Sequence, residues 1–241
     1  MKRVYVWIAL LVVGLVLPAS ADNLLVGAFA RLDPSGPIPS EWQPLTFPKI
    51  SRHTRYDLKQ DGNQTVVRAS SSAAASGLIR YIHFSPARFP WLQWRWKISN
   101  ILRAGDVKQK AGDDYPARIY VAFEFDSESA GFWQRLRYKA ACLAAGKKLP
   151  GSGLNYIWAN KAPRGTVVAN AFAPQVKMIV LQSGAALANQ WIRERRNLVD
   201  DYELAFGRKP PQVMGIAIMT DTDNTGEQAT AYYGNIELQS P

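Results

Sequence analysis

The sequence has 241 residues, and a chain of this length fits one domain or at most two. Its 47% of hydrophobic and 20% of charged residues exclude a disordered tail or a coiled coil, and its single cysteine excludes a fold held by intrachain disulfides. The formal charge of +10 favours an anionic partner, such as nucleic acid or an acidic surface.

Residues 1–21 have the pattern of a signal peptide. The chain starts with two positive charges, continues as an uncharged apolar run over residues 4–17, and then has the small-x-small pattern that signal peptidase accepts. The apolar run is shorter than the roughly 20 residues of a transmembrane helix, and no longer apolar stretch follows it. We therefore expect a cleaved leader and, over residues 22–241, a single domain without a transmembrane segment. Export to the periplasm is the expected location, and secretion is the alternative.

Strand patterns dominate the rest of the chain, after a proline-rich lead-in over residues 33–48. Over residues 92–98, Leu, Trp, Trp and Ile alternate with Gln, Arg and Lys, and residues 118–126 alternate in a similar way. Further short apolar runs lie between turns rich in Gly, Asp and Asn. They predict strands at 65–69, 78–84, 154–160, 176–182, 213–220 and 230–238.

Two helices are predicted among these strands. The first covers residues 130–145, with Gly146 placed to cap its C-terminus, and the second covers residues 198–206, between Asn197 as N-cap and Gly207 as C-terminal stop. A series of about eight to ten short strands is typical of a two-sheet fold. We predict an all-β, two-sheet antiparallel β-sandwich that is jelly-roll-like and carries one or two inserted helices.

Five segments occur in a specific order along the chain. They are residues 94–97 (Trp-Arg-Trp-Lys), 112–118 (Gly-Asp-Asp-Tyr-Pro-Ala-Arg), 154–158 (Leu-Asn-Tyr-Ile-Trp), 201–207 (Asp-Tyr, then Phe-Gly) and 218–236 (Ile-Met-Thr-Asp-Thr-Asp-Asn-Thr-Gly, then Tyr-Tyr-Gly-Asn-Ile). With them, the chain from about residue 42 to 238 resembles a bacterial family of exported proteins known only as domain of unknown function 3047. The resemblance implies a single domain and export, and it supplies no activity. The closing residues 233–238 are also similar to the last strand of jelly-roll carbohydrate-binding modules.

A loop near the C-terminus is a candidate metal site. Asp221, Asp223 and Asn224 offer oxygen ligands before a turn at Gly226, and calcium prefers oxygen ligands. The loop is not an EF-hand, because Tyr232 stands where the twelfth-position carboxylate should be. The alternative is a turn in which Asp and Asn bond their own backbone.

A second acidic pair, Asp113 and Asp114, precedes a predicted strand. Adjacent carboxylates repel unless a cation, an arginine or solvent lies between them. Because the loops of a sandwich cluster at its two edges, we hypothesise that this pair joins Asp221 and Asp223 in one site. The alternative is a solvated turn.

The polar faces of two strands are a further candidate for ligand binding. Arg95, Lys97, Arg118 and Tyr120 are predicted to project away from the core. If the two strands are neighbours, these side chains form a cationic patch suited to a carboxylated or sulfated sugar, or to a phosphate. The alternative is that they only keep the strands soluble and discourage edge pairing.

The tryptophans divide by their position in the strand pattern. Trp94 and Trp96 share a face with apolar residues and are predicted to lie in the core, whereas Trp91, Trp133 and Trp191 are the candidates for exposed sugar-binding platforms.

A catalytic alternative depends on Glu124, Asp126 and Glu128, which alternate at the end of a predicted strand. Some retaining glycosidases on a jelly-roll scaffold use Glu-x-Asp-x-Glu, and the likeness would make Glu124 the nucleophile, Asp126 its helper and Glu128 the acid/base. Two histidines and one cysteine are too few for a zinc site of several such ligands, and no nucleophile elbow or phosphate-binding glycine motif is present.

The sequence therefore predicts a non-catalytic binding module for a carbohydrate or an anionic envelope component, with calcium as a possible cofactor. A glycoside hydrolase and an envelope scaffold or interaction protein remain the alternatives. No nucleic-acid module signature accompanies the basic charge, so nucleic acid is not an expected partner.

Overall fold

The structure is a computed structural model, and it describes residues 22–146 and 148–241. The leader predicted at residues 1–21 lies outside the described residues. The described residues form thirteen strands and two α-helices. The strands are β1 (Asn23–Gly27), β2 (Gln43–Leu45), β3 (Arg55–Asp61), β4 (Gln64–Ser72), β5 (Ala75–Phe84), β6 (Trp91–Ile98), β7 (Arg118–Phe123), β8 (Ser152–Ala159), β9 (Val167–Ala169), β10 (Val176–Ser183), β11 (Ile192–Asn197), β12 (Val213–Asp221) and β13 (Gln228–Gln239), and the helices are α1 (Phe132–Ala145) and α2 (Leu198–Phe206).

The strands form two sheets. One has six strands in the order β11-β6-β13-β4-β3, with β1 also paired to β13, and the other has seven strands in the order β2-β5-β12-β7-β8-β10-β9. Neighbouring strands run antiparallel except β8 and β10, which are parallel. The predicted all-β sandwich with inserted helices is confirmed, with this one parallel pair as a departure from the expected antiparallel pattern.

The two sheets pack on each other through an apolar core that the alternating strands create. In β6 the side chains of Leu92, Trp94, Trp96 and Ile98 are buried and those between them are partly exposed. The ring centre of Trp94 lies 5.2 Å from the ring centre of Tyr156, which is in β8 of the other sheet. The prediction that Trp94 and Trp96 belong to the core is confirmed.

The two helices differ in how they attach to the sandwich. In α2 the Asn197 side chain accepts the N–H groups of the first turn, as predicted, and Leu198 and Tyr202 are buried in the core. Helix α1 ends at Gly146, as predicted, but none of its residues is buried. It therefore lies on the surface. Among the described residues, no helix combines the length and the apolar character needed to cross a membrane.

Candidate functional site

The four residues of the predicted cationic patch lie on two different sheets. Arg95 and Lys97 lie on β6 in the six-stranded sheet, whereas Arg118 and Tyr120 lie on β7 in the seven-stranded sheet. The hypothesis that these two strands are neighbours and form one cationic patch is therefore wrong.

The two acidic loops do meet at one edge of the sandwich. One carboxylate oxygen from each of Asp114, Asp221 and Asp223 lies within 4.8 Å of the other two, and we call these three residues the aspartate cluster. Asp114 also accepts hydrogen bonds from the Asn224 side-chain amide at 3.1 Å and from the backbone N–H of Thr225 at 2.6 Å. The predicted convergence of the two loops is present in the structure.

Arg118 is the internal counter-ion of this region. Its side chain is only 2% exposed, and its guanidinium donates to both carboxylate oxygens of Asp221, with Nε 2.7 Å from Oδ1. It also donates to the hydroxyl of Tyr120 at 2.9 Å and to the carbonyl of Asp113 at 2.6 Å, and it lies over the ring of Tyr115. Arg118 lies on the strand face away from the main core, as predicted, but its side chain is enclosed by its partners and is not available to a ligand on the surface.

The remaining partner of this region is Asp113. Its Oδ2 accepts a hydrogen bond from the side-chain amide of Asn170 at 2.7 Å, while its Oδ1 has no hydrogen-bond partner among the described residues. Asp113 is therefore a buried carboxylate that is only partly satisfied, and it adds negative charge beside Arg118.

Burial and the charges of neighbouring carboxylates raise the pKa values of two members of the aspartate cluster. Burial raises the pKa of Asp221, and the charges of Asp114 and Asp113 add to the shift while Arg118 opposes it. Burial, and then the charge of Asp114, raise the pKa of Asp223. Burial disfavours the charged form of Arg118, yet Asp221 and its other neighbours hold the pKa of Arg118 above its usual range.

The aspartate cluster brings three carboxyl groups together beside one arginine. Arg118 pairs with Asp221, but Asp114 and Asp223 have no ion-pair partner among the residues the structure describes. Carboxylate oxygens at these separations are ligands that calcium accepts. Asn224, the third predicted ligand, donates its amide to Asp114 and thereby orders the loop. Calcium at Asp221, Asp223 and Asn224 stays a prediction.

The second region is the solvent-facing side of the six-stranded sheet, which we call the outer face. Its side chains alternate with the core residues on four adjacent strands and are partly or fully exposed. They are Arg68, Trp91, Gln93, Arg95, Lys97, Arg193, Arg195, Tyr232, Glu237 and Gln239. Arg193 stands opposite Arg95 in the ladder, and Lys97 stands opposite Tyr232.

Cations cover the aromatic rings of the outer face. The Arg195 guanidinium lies 3.5 Å from the ring centre of Trp91, and that of Arg95 lies 4.3 Å from the ring centre of Trp191. Lys97 lies 4.6 Å from the ring centre of Tyr232 and donates to Asp61 at 2.6 Å. Both tryptophans are partly buried, so they support the cations instead of forming bare platforms.

Two clefts open on the outer face. The first, of about 240 Å³, lies where β13 bulges between Tyr233 and Ile236, and the second, of about 440 Å³, lies near the start of β13. Polar side chains line both clefts. The first is lined by Gln64, Gln93, Arg95, Arg193, Asn235 and Glu237 among others, and the second by Ser70, Ser72, Asn100, Gln228 and Thr230 among others.

The three carboxylates of the catalytic alternative do not share a strand face. Strand β7 ends at Phe123, so Glu124, Asp126 and Glu128 lie in the connection that follows it. The expected alternation along one strand is therefore wrong.

The three carboxylates differ in their partners and in their exposure to solvent. Glu124 lies 3.0 Å from the ammonium of Lys148, and Glu128 is exposed. Asp126 accepts hydrogen bonds from the side chain and backbone of Ser129, which lower its pKa, and it pairs with Arg208 at 2.6 Å. Asp126 is thus an ionised turn residue.

Sequence reasoning missed several residues of the outer face. Arg193 and Arg195 lie two positions apart, which is the spacing of one strand face, but the segment around them is too charged to be recognised as a strand. Asn235 faces a cleft because of the bulge in β13, and alternation does not predict a bulge.

Comparison with known proteins gives a family but no activity. The family model described as "Protein of unknown function (DUF3047)" matches residues 40–237. No curated protein matches the sequence.

Two solved structures show distant likenesses to the chain. The family 30 carbohydrate-binding module of the cellulosomal cellulase Cel9D-Cel44B of Clostridium thermocellum is 8% identical, with 90% of this chain and 97% of that chain covered and a TM-score of 0.41. A loop-swap mutant of Necallimastix patriciarum Xyn11A is also 8% identical, with 79% and 86% covered and a TM-score of 0.32. At these scores neither likeness supports a functional statement.

Proposed function

The chain belongs to the DUF3047 family of proteins of unknown function, and we propose that it binds an anionic polysaccharide on the outer face without catalysing a reaction. The periplasm is the proposed location, with secretion as the alternative, because a leader pattern occupies residues 1–21. The observation that carries the proposal is the series of cations on β6 and β11 beside a polar cleft.

The cations of the outer face are suited to carboxylate or sulfate groups. A guanidinium binds such groups through two parallel hydrogen bonds, and it does so best when its position is already fixed. Arg95 and Arg195 are each held over an indole ring, and the neighbouring Arg193 is exposed to solvent. These contacts lower the entropy lost when an anionic ligand binds.

The covered aromatic rings favour an acidic over a neutral polymer. Sugar rings stack on bare aromatic faces, but Arg195 already occupies one face of Trp91, and Lys97 lies over Tyr232. The amide and hydroxyl groups of the clefts remain available for sugar hydroxyls. Recognition therefore depends first on charge and then on hydrogen bonds.

The length of the outer face suits a polymer. Strand β13 has 12 residues, and at about 3.3 Å per residue it extends roughly 40 Å. The two clefts lie toward opposite ends of this strand, with Tyr232 between them. An extended chain of several sugar units could contact both clefts.

The alternatives have less support. The glycoside hydrolase alternative loses the shared strand on which Glu124, Asp126 and Glu128 were expected to act together. An envelope scaffold that binds no polysaccharide is the remaining alternative, and the experiment below separates it from the proposal.

Binding to polygalacturonate, dextran sulfate and neutral dextran, measured by affinity electrophoresis at several salt concentrations, tests the proposal. We expect retardation by the two acidic polymers only, weakening as salt rises because salt screens exposed charges. The double variant Arg95→Ala/Arg193→Ala should bind at least tenfold more weakly. The matched control Lys161→Ala/Lys209→Ala removes two exposed cations outside the outer face and should bind like the wild type.

Two results would overturn this proposal. One is equal binding of the wild type and the Arg95→Ala/Arg193→Ala variant, with both shown to be folded by thermal unfolding. The other is release of reducing ends from either acidic polymer by the wild type but not by a Glu124→Gln/Glu128→Gln variant, which would establish catalysis instead.

A further inference from the structure

Helix α1 exposes large apolar side chains that nothing in the described structure covers. Phe132, Trp133, Leu136 and Leu143 are 69, 68, 49 and 85% exposed, and the helix has no buried residue. A surface helix normally buries its apolar stripe against the core, and clustered exposed apolar residues mark interaction sites. The stripe on α1 is therefore a candidate interaction surface.

The helix is attached to the domain through its other side. The Tyr138 ring stacks on the ring of Phe125 with centroids 4.0 Å apart, and its hydroxyl donates to the carbonyl of Leu149 at 2.7 Å. Tyr138 and Cys142 are the only α1 residues that are partly buried. Since they are four residues apart, they lie on one face of the helix.

The apolar stripe faces away from this attachment. At 3.6 residues per turn, Phe132, Leu136 and Leu143 lie within a narrow sector, with Trp133 beside them, and Tyr138 lies on the opposite side. The exposures agree with this placement, because the stripe residues are exposed and Tyr138 is not. The helix therefore presents these four apolar side chains to the surroundings.

Charge indicates what that surface meets. Helix α1 contains no Asp or Glu, and its charged residues are Arg135, Arg137 and Lys139, all exposed. By helical spacing, Arg135 and Lys139 border the apolar stripe on one side and Arg137 borders it on the other. Long basic side chains at the border of an apolar stripe can bury their stems while their charges contact anionic headgroups.

We propose that α1 docks on the surface of an anionic lipid bilayer, with Phe132, Trp133, Leu136 and Leu143 inserted at the boundary between headgroups and acyl chains. The helix has 14 residues, and at 1.5 Å per residue it extends about 21 Å. Because the hydrocarbon core is about 30 Å thick, α1 lies on the membrane and does not span it. Tryptophan and phenylalanine beside basic residues suit this interface. The site is separate from the outer face, so the inference does not depend on the polysaccharide proposal.

Co-flotation of the purified protein with lipid vesicles tests this inference. We expect binding to vesicles that contain phosphatidylglycerol and little binding to pure phosphatidylcholine vesicles, with binding that weakens as salt rises. The variant Trp133→Ser/Leu143→Ser should lose at least tenfold in partitioning. Neither side chain is buried, so this variant should keep the wild-type thermal stability.

The control is Leu204→Ser, which removes from α2 a leucine (67% exposed) about as exposed as Trp133 and should bind vesicles like the wild type. Unchanged vesicle binding by Trp133→Ser/Leu143→Ser would overturn the inference. So would sedimentation showing a dimer that the same two substitutions dissociate, because a second copy would then cover the stripe.

Discussion

At the scale of single residues, Arg118 shows how a basic side chain can be structural instead of ligand-binding. Arg118 and Asp221 are 2% and 3% exposed, and removing two charges from water costs several kcal/mol per ion unless their geometry compensates. The guanidinium of Arg118 supplies that compensation, because it forms a bidentate pair with Asp221 and also donates to the hydroxyl of Tyr120 and the carbonyl of Asp113. Loss of one partner leaves a buried charge without its counter-ion.

We expect Arg118→Met to lower the free energy of unfolding by about 3–5 kcal/mol, since Asp221 is then buried and unpaired. Urea denaturation measures this change. Adding Asp221→Asn should recover part of the loss, because it removes the unpaired carboxylate. The matched control is Arg68→Met, which breaks the pair of Arg68 and Asp57 on the outer face, where both side chains are about 30% exposed. That pair should contribute about 1 kcal/mol or less, and a similar cost for both variants would contradict the argument.

At the scale of elements, the pattern of apolar residues predicted the strands with a clear inner face. Strand β6 alternates over its whole length and was predicted to within a residue, and the capping residues of α2 marked both of its ends. Strands β3 and β11 were not predicted, because they are edge strands whose sequences are mostly polar or charged. Charged side chains protect sheet edges from pairing, and they also remove the signal that reveals a strand.

The periodicity of the sequence also does not predict where another segment packs closely against a glycine. Two such glycines, Gly151 and Gly234, allow a prediction. A Cβ on Gly151 would collide with the backbone of Phe125, whereas the atoms nearest to a Cβ on Gly234 belong to the side chain of Arg95. The backbone of Phe125, in the connection after β7, cannot shift without disturbing the packing around it, whereas the Arg95 side chain can change rotamer at the cost of its contact with Trp191. We therefore expect Gly151→Ala to cost about 1–3 kcal/mol and Gly234→Ala to cost less than about 1 kcal/mol.

Thermal and urea unfolding of the two alanine variants check this order. The measurement needs no ligand, so it is independent of the polysaccharide proposal. If Gly234→Ala were the more destabilising of the two, the assignment of Arg95 as the yielding neighbour would be wrong.

At the scale of the whole molecule, alternation identifies the two faces of a strand but not what lies over each face. On β7 the polar face was predicted correctly, yet Arg118 is buried because the segment before β7 folds over this side of the seven-stranded sheet. Val107 and Tyr115 of that segment pack with Met178 and Val180 in a second, smaller apolar cluster. On β6 the outer side of the sheet stays open, so Arg95 and Lys97 remain partly exposed. Which sheet is covered on its outer side by another segment of the chain depends on long-range packing. The local sequence of the strand does not predict it.

The aspartate cluster lies where the chain passes from one sheet to the other, so a cation there would act on the whole fold. Asp221 ends β12 of the seven-stranded sheet, Asp223 lies in the loop that leads to β13 of the six-stranded sheet, and Asp114 comes from the segment before β7. A ligand that binds only the native state stabilises it, by about 2.7 kcal/mol at 100 times its dissociation constant. For a domain of this size, 1 kcal/mol corresponds to about 2–4 °C in melting temperature.

We therefore predict that millimolar calcium raises the melting temperature by several degrees and that a chelator reverses the rise. Asp223→Asn should abolish the response, because it removes one of the two carboxylates of the cluster that lack an ion-pair partner among the described residues. Asp106→Asn is the matched control, since Asp106 pairs with Lys161 outside the cluster and its loss should leave the calcium response intact. A wild-type melting temperature that does not change with calcium would contradict a calcium site at the cluster.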